Sequence, residues 1–141
     1  MTLKTLIGPV LLLAALPSVA QPGTDLGRYR DKNRVLLIFA PNARDPRWQR
    51  QAALFRRSGA QFTDRDLVRV DIFASGPKAD LALRTKYHVL PGQFRVLLIG
   101  KDGHVAFGGP TPISLQTLTS AIDRMPMRRE EMRQKGELRQ R

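Results

Sequence analysis

RVLLIFAPNARDPRWQRQ, Arg34 to Gln51, decides the fold, because a strand, a short loop and a capped helix follow one another within it. Val35 to Ala40 is an unbroken apolar run closed by Pro41. That pattern suits a central strand covered on both faces better than a half-exposed strand of alternating polarity. Asp45 and Pro46 then read as an N-cap followed by proline at the first helical position, where its missing N–H is harmless. The spacing predicts a helix to about Ser58, terminated by Gly59. Trp48, Ala52 and Phe55, flanked by Gln51 and Leu54, form its core-facing stripe, while Arg47, Arg50, Arg56 and Arg57 take the wet faces.

Downstream, Leu67 to Phe73 (LVRVDIF) reads as a second strand before the turn Ala74-Ser75-Gly76-Pro77. Two strands joined by a helix make a right-handed unit with parallel strands. A shorter helix is predicted from about Lys78 to Tyr87, with Leu81, Arg84 and Tyr87 on one partly apolar face. Phe94 to Ile99, the turn Gly100 to Gly103, and His104 to Phe107 form a β-hairpin. Ser114 caps a last helix carrying Leu115, Leu118, Ile122 and Met125, which Pro126 interrupts. The remainder has no sustained apolar stripe, only a Glu131–Lys135 pair, and reads as a partly helical, frayed, basic tail. The expected fold class is α/β, in the order βαβ-α-ββ-α, with a mixed four-stranded sheet flanked by helices. The expected organisation is a signal peptide at 1–20, a lead-in at 21–33 that sets Leu26 and Tyr29 against the domain edge, the domain at 34–125 and the tail at 126–141.

The first twenty residues supply the address. Lys4 is a basic start, Leu6 to Leu16 an apolar stretch, and Ser18-Val19-Ala20 places small residues where a signal peptidase reads, so cleavage after Ala20 and a periplasmic or secreted location are expected. Leu6 to Ala20 is 15 residues long and contains Gly8, Pro9 and Pro17, short of the roughly 20 needed to span a bilayer. No transmembrane segment is expected in the mature chain. With 24 Lys+Arg against 12 Asp+Glu the chain carries +12; losing Lys4 with the signal leaves +11 on the 121 residues from Gln21 onward. Arginine supplies 18 of the 24 cations, which favours anionic surroundings, although the charges are spread along the chain as on an ordinary solvated surface. With no cysteine, apolar packing must hold this single core without disulfides.

The element order is the thioredoxin-like order, which puts the first strand beside the second and third. Four segments carry a closer likeness: RVLLIFAP at Arg34 to Pro41, Arg65-Asp66, LLIGKDG at Leu97 to Gly103, and IDRMPMR at Ile122 to Arg128. In these words the chain resembles the bacterial DUDES-type domain of unknown function, a thioredoxin-like module also built into animal secreted matrix proteins. The resemblance spans Leu26 to about Met132 and implies a peroxiredoxin-related fold without an assigned activity. It implies no catalytic residues.

Thiol chemistry needs a thiolate, and Asn42, Ala43 and Arg44 occupy the loop where redox relatives of this fold carry theirs. Disulfide exchange and thiol peroxidase activity are therefore excluded. His88 and His104 alone do not make a zinc site, and no metal or other cofactor is expected. No serine stands in a G-x-S-x-G elbow, and Gly100-x-x-Gly103 lies between strands, where it is a turn. Asp45, Asp64, Asp66 and Asp71 are the carboxylates a non-thiol hydrolase would pair, although Asp45 has the simpler job of N-cap and surface ion pairing is the default for Asp64 and Asp66. A binding edge made of Asn42, Arg44 and Asp45 after the first strand, meeting Leu90-Pro91 before the third, is the better candidate. Pro91 stands near where thioredoxin-like proteins often carry a cis proline, but Gly92 and Gln93 separate it from the strand, and the sequence leaves its isomer open. The expected function is that of an exported, non-redox binding module of the cell envelope. Its partner would be an envelope protein or an anionic polymer, with no specific nucleic acid; electrostatic binding of envelope polymer or lipid and non-thiol hydrolysis are the alternatives.

Overall fold

A computed structural model describes residues 24–140; the expected signal peptide lies outside the described residues. Four strands, β1 (Arg34–Ala40), β2 (Leu67–Phe73), β3 (Arg95–Ile99) and β4 (Val105–Gly109), form one mixed sheet in the order β2-β1-β3-β4. β1 runs parallel to β2, with Ile38 opposite Asp71, and antiparallel to β3, with Leu37 opposite Leu97. Every residue of β1 is buried, as its unbroken apolar run requires.

Because side chains alternate along a strand, β1 feeds two cores. Leu36, Ile38 and Ala40 pack with Phe62, Leu118 and Ile122 on the face covered by α1 (Pro46–Arg57), α2 (Gly59–Thr63) and α4 (Leu115–Asp123). Val35, Leu37 and Phe39 pack with Ile72 and Val89 on the opposite face, joined by Leu26 and Tyr29 of a short 3-10 turn and by Leu83 and Tyr87 at α3 (Lys78–Lys86). The lead-in thus sits against the domain edge as expected.

Three elements depart from the sequence reading. Gly59 does not terminate α1 in a left-handed conformation; Ser58 caps α1, and Gly59 opens α2, which buries Phe62 in a stack 4.8 Å from Phe55. On α3, Leu81 faces out at 43% exposure, and the buried positions are the polar Asp80 and Arg84. The segment after Pro126 is a continuous helix, α5 (Pro126–Arg139), whose Arg128 is only 3% exposed. Ion pairs, which leave no apolar stripe, dock this helix.

The hairpin joining β3 to β4 has Gly103 at φ +83°, a conformation that glycine adopts without strain. At Gly108 the reason is space: a Cβ there would lie 2.5 Å from Leu97 Cδ2 and 2.7 Å from the Val96 carbonyl oxygen. No helix among the described residues is long and apolar enough to cross a membrane.

Candidate functional site

At the C-terminal end of β1 the chain turns at Pro41 and presents Asn42, Ala43 and Arg44 to solvent. Asn42 Oδ1 accepts the Arg44 backbone N–H at 2.8 Å and shapes the turn. Asp45 Oδ1 accepts from the backbone N–H groups of Arg47 (2.9 Å) and Trp48 (3.4 Å), which is the predicted cap. Its other oxygen meets Arg47 Nη2 at 2.6 Å, and the Arg47 side chain holds the Asp45 carboxyl below the usual carboxylate range. Asp45 is therefore occupied within its own helix turn. Arg44 is the exposed member of the predicted set with a charge free to meet a ligand.

The predicted counterpart, Pro91, is exposed, and the Leu90–Pro91 bond is trans, since no cis bond occurs among the described residues. The cis-proline part of the likeness therefore falls. What ties this segment to the strand ends is a residue the sequence reading placed only on a helix face. Arg84 reaches from α3 and donates through Nη1 to the Leu90 carbonyl at 2.8 Å, and through Nη2 to the carbonyls of Ile72 (3.2 Å) and Ala40. Its guanidinium lies over the Phe39 ring, and burial pulls its pKa down from the ordinary arginine value. Beside it opens a cavity of about 450 Å³, walled by Ala74, Leu81, His88, Val89, Leu90 and Pro91. The only sequence signal for Arg84 is a cation at i+3 from Leu81 and i−3 from Tyr87, on a partly apolar face.

Asp45 and Asp66 do not meet. Asp45 follows the end of β1, whereas Asp66 precedes the start of the parallel β2, so the two stand at opposite ends of the sheet. Asp66 pairs with Lys101 at 2.8 Å, and Asp64 with Arg128 at 2.6 Å and Lys135 at 3.0 Å. Asp71 is paired with Arg69 at 3.2 Å inside β2, where burial pushes its carboxyl above the ordinary value. Each of the four carboxylates named from the sequence thus has a cationic partner. His88 and His104 are both exposed, His104 facing Asp102 at 3.6 Å, and no cluster of three or more metal-ligating side chains occurs among the described residues.

At the other end of the sheet, Arg34, Arg65, Lys101 and Arg128 interlock with Asp64, Asp66, Asp123 and Glu131. Glu131 receives Arg34 at 3.1 Å and Lys101 at 2.7 Å. The four resemblance words contain all of these residues except Asp64 and Glu131. Those words therefore overlap the ion-pair network that docks α5.

On the outer face of α1, Arg47, Arg50 and Arg57 follow one stripe along a cleft of about 520 Å³, whose far wall is the chain from Thr111 to Leu115. No acidic side chain lines that cleft.

A family model described as Domain of unknown function (DUF4174) matches residues 25–131. Coiled-coil domain-containing protein 80 of Danio rerio is 27% identical over 133 residues, covering 76% of this chain and 15% of the relative; the chain thus spans under a sixth of that protein's length. Among solved structures, Plasmodium yoelii thioredoxin peroxidase I is similar with a TM-score of 0.54 at 17% identity, over 70% of this chain and 75% of that one. Plasmodium vivax 2-Cys peroxiredoxin in its reduced form is similar with a TM-score of 0.58 at 16% identity, over 71% and 69%. At such identities these likenesses establish the fold and nothing of the chemistry.

Proposed function

Because this chain belongs to the DUF4174 family and has a peroxiredoxin-like fold with no cysteine, we propose that it is a non-redox binding module, akin to the bacterial DUDES-type domains and exported to the cell envelope, periplasmic or secreted. The carrying observation is the end of the sheet where β1 meets α1. The exposed Arg44 stands there on a turn fixed by Asn42 and Asp45, and the buried Arg84 joins that end to Leu90-Pro91 beside an apolar cavity. A fixed loop, an available guanidinium and a concave apolar surface are what recognition requires. The partner on this reading is an envelope protein. Pull-down from an envelope extract tests it: wild type retains a discrete partner and Arg44→Ala loses most of it. No partner with wild type, or equal recovery with the variant, overturns the reading.

A second reading, electrostatic binding of an anionic envelope polymer or lipid, has its own support in Arg50 and Arg57 on the stripe of α1, beside an Arg47 already paired with Asp45. The cleft beside Arg47, Arg50 and Arg57 has no aromatic side chain on which a base could stack, which favours an acidic polymer over nucleic acid. Elution from an anionic column should shift to lower salt in Arg50→Ala/Arg57→Ala, because each lost contact reduces counterion release. Unchanged elution overturns it.

A further inference from the structure

We propose that the cavity beside Arg84 binds a monoanionic amphiphile, a single carboxylate carried on an apolar chain. This rests on reading the same sheet end as a binding edge.

The buried cations of the fold fall into two groups. Arg34, Lys101 and Arg128, each at most 9% exposed, all meet carboxylates. Arg84, at 4% exposed, meets no carboxylate among the described residues: its partners are the neutral carbonyls of Ala40, Ile72 and Leu90 and the face of the Phe39 ring, and its Nε, like that of Arg34, has no partner. A buried charge normally finds an opposite charge, because carbonyl dipoles repay only part of its lost hydration. Arg84 has five N–H donors, of which three bonds use only part, so capacity remains for an anion.

The surroundings decide what carries that anion. Arg84 forms part of the wall of the 450 Å³ cavity, and most of the rest is Ala74, Leu81, Val89, Leu90 and Pro91. Leu81 and Leu90, 43% and 65% exposed, give the cavity an apolar rim that an apolar chain can cover. Thr85, the nearest hydroxyl, donates to the Leu81 carbonyl at 3.2 Å within its own helix. Arg84 is the one permanent cation of a mostly apolar wall, with His88 and Thr85 its other polar side chains, and that suits one negative charge. A phosphate dianion would ask for several donors that this wall does not offer.

The test is titration of the full chain with octanoate and with octanamide, its neutral counterpart, read by the methyl signals of Leu81, Val89 and Leu90 and by calorimetry. Octanoate should saturate below about 10 mM with those methyls shifting, and octanamide should bind about tenfold more weakly or worse. Arg84→Met should abolish the preference. Because that variant also frees three carbonyls and is liable to unfold, Leu90→Glu at the exposed rim provides the second arm, repelling octanoate while leaving the fold intact. Equal affinity for acid and amide, binding that leaves those methyls unmoved, binding that Leu90→Glu does not weaken, or no binding at all overturns the proposal. The two readings separate cleanly: loss of octanoate binding with Arg44-dependent partner capture intact defeats only the carboxylate site, and the reverse result defeats only the protein-binding edge.

Discussion

Glu131 of α5 accepts hydrogen bonds from both terminal nitrogens of Arg34, 3.1 Å from Nη2 and 3.3 Å from Nη1, so the final helix is fastened to the first residue of the central strand across 97 positions of sequence. Arg34 is 1% exposed and cannot turn to water when that partner is removed. Glu131→Gln, which keeps the shape and one acceptor but removes the charge, should destabilise the domain by about 2–3 kcal/mol in urea unfolding at neutral pH. A loss below about 0.5 kcal/mol would mean that the network is no stronger than exposed surface pairs.

The same network predicts acid sensitivity. Lys135 and Arg128 hold the Asp64 carboxyl below its ordinary range, and Arg65 and Arg128 do so for Asp123. Burial pushes the Glu131 carboxyl up, but Arg34 and Lys101 outweigh it and leave it lowered. A carboxylate with a depressed folded pKa contributes stability that is complete above the unfolded value and disappears as pH falls through the folded one. Stability should therefore be flat from about pH 8 to pH 6 and should fall from about pH 5 downward. Asp71, whose burial raises its pKa, acts in the opposite sense and softens the fall. Glu131→Gln should make the profile shallower, which urea midpoints across that range will show.

Gln51 is 1% exposed, with Oε1 accepting from the Ile113 N–H at 2.7 Å and Nε2 donating to the Ile113 carbonyl at 3.2 Å. It closes the loop before α4 onto α1. Gln51→Leu fills the volume but strands both backbone groups, and should cost about 2–4 kcal/mol in urea unfolding.

Gly108→Ala should cost about 1–3 kcal/mol by the same measure, because the new Cβ must displace Leu97 or the β3 backbone. Gly109 has nothing within 4 Å of the corresponding position, so Gly109→Ala is the control and should stay within about 0.5 kcal/mol of wild type.

Asp45→Ala separates capping from recognition. Loss of the cap should lower stability by about 1 kcal/mol, with partner capture reduced far less than by Arg44→Ala, because the Asp45 carboxylate already belongs to Arg47 and the helix N-terminus.

Much of the architecture was legible because it is written in local, periodic signals. The apolar run of Val35 to Ala40 foretold a strand buried on both faces, and Asp45-Pro46 and Ser114 marked helix starts that the structure places there. The docking of α5 was not legible, since Arg34, Lys101, Asp66 and Glu131 come from four separate segments, and ion pairing has no period to read. Gly59 misled because glycine after a helix suggests a stop, whereas the burial of Phe62 draws the chain into another turn. Arg84 was hidden for a related reason: its importance lies in three carbonyls supplied by β1, β2 and the loop before β3, a juxtaposition visible only once the chain is folded.

On the function proposed, the chain works by contact at the end of β1. Site-directed photo-cross-linking in an envelope extract tests it most directly, with a photoreactive amino acid in place of Arg44, in place of Leu90, or, as control, in place of the exposed Gln116 on α4. Positions 44 and 90 should give the same discrete adduct and position 116 none. Adducts of equal yield from all three positions, or from 116 alone, would contradict it.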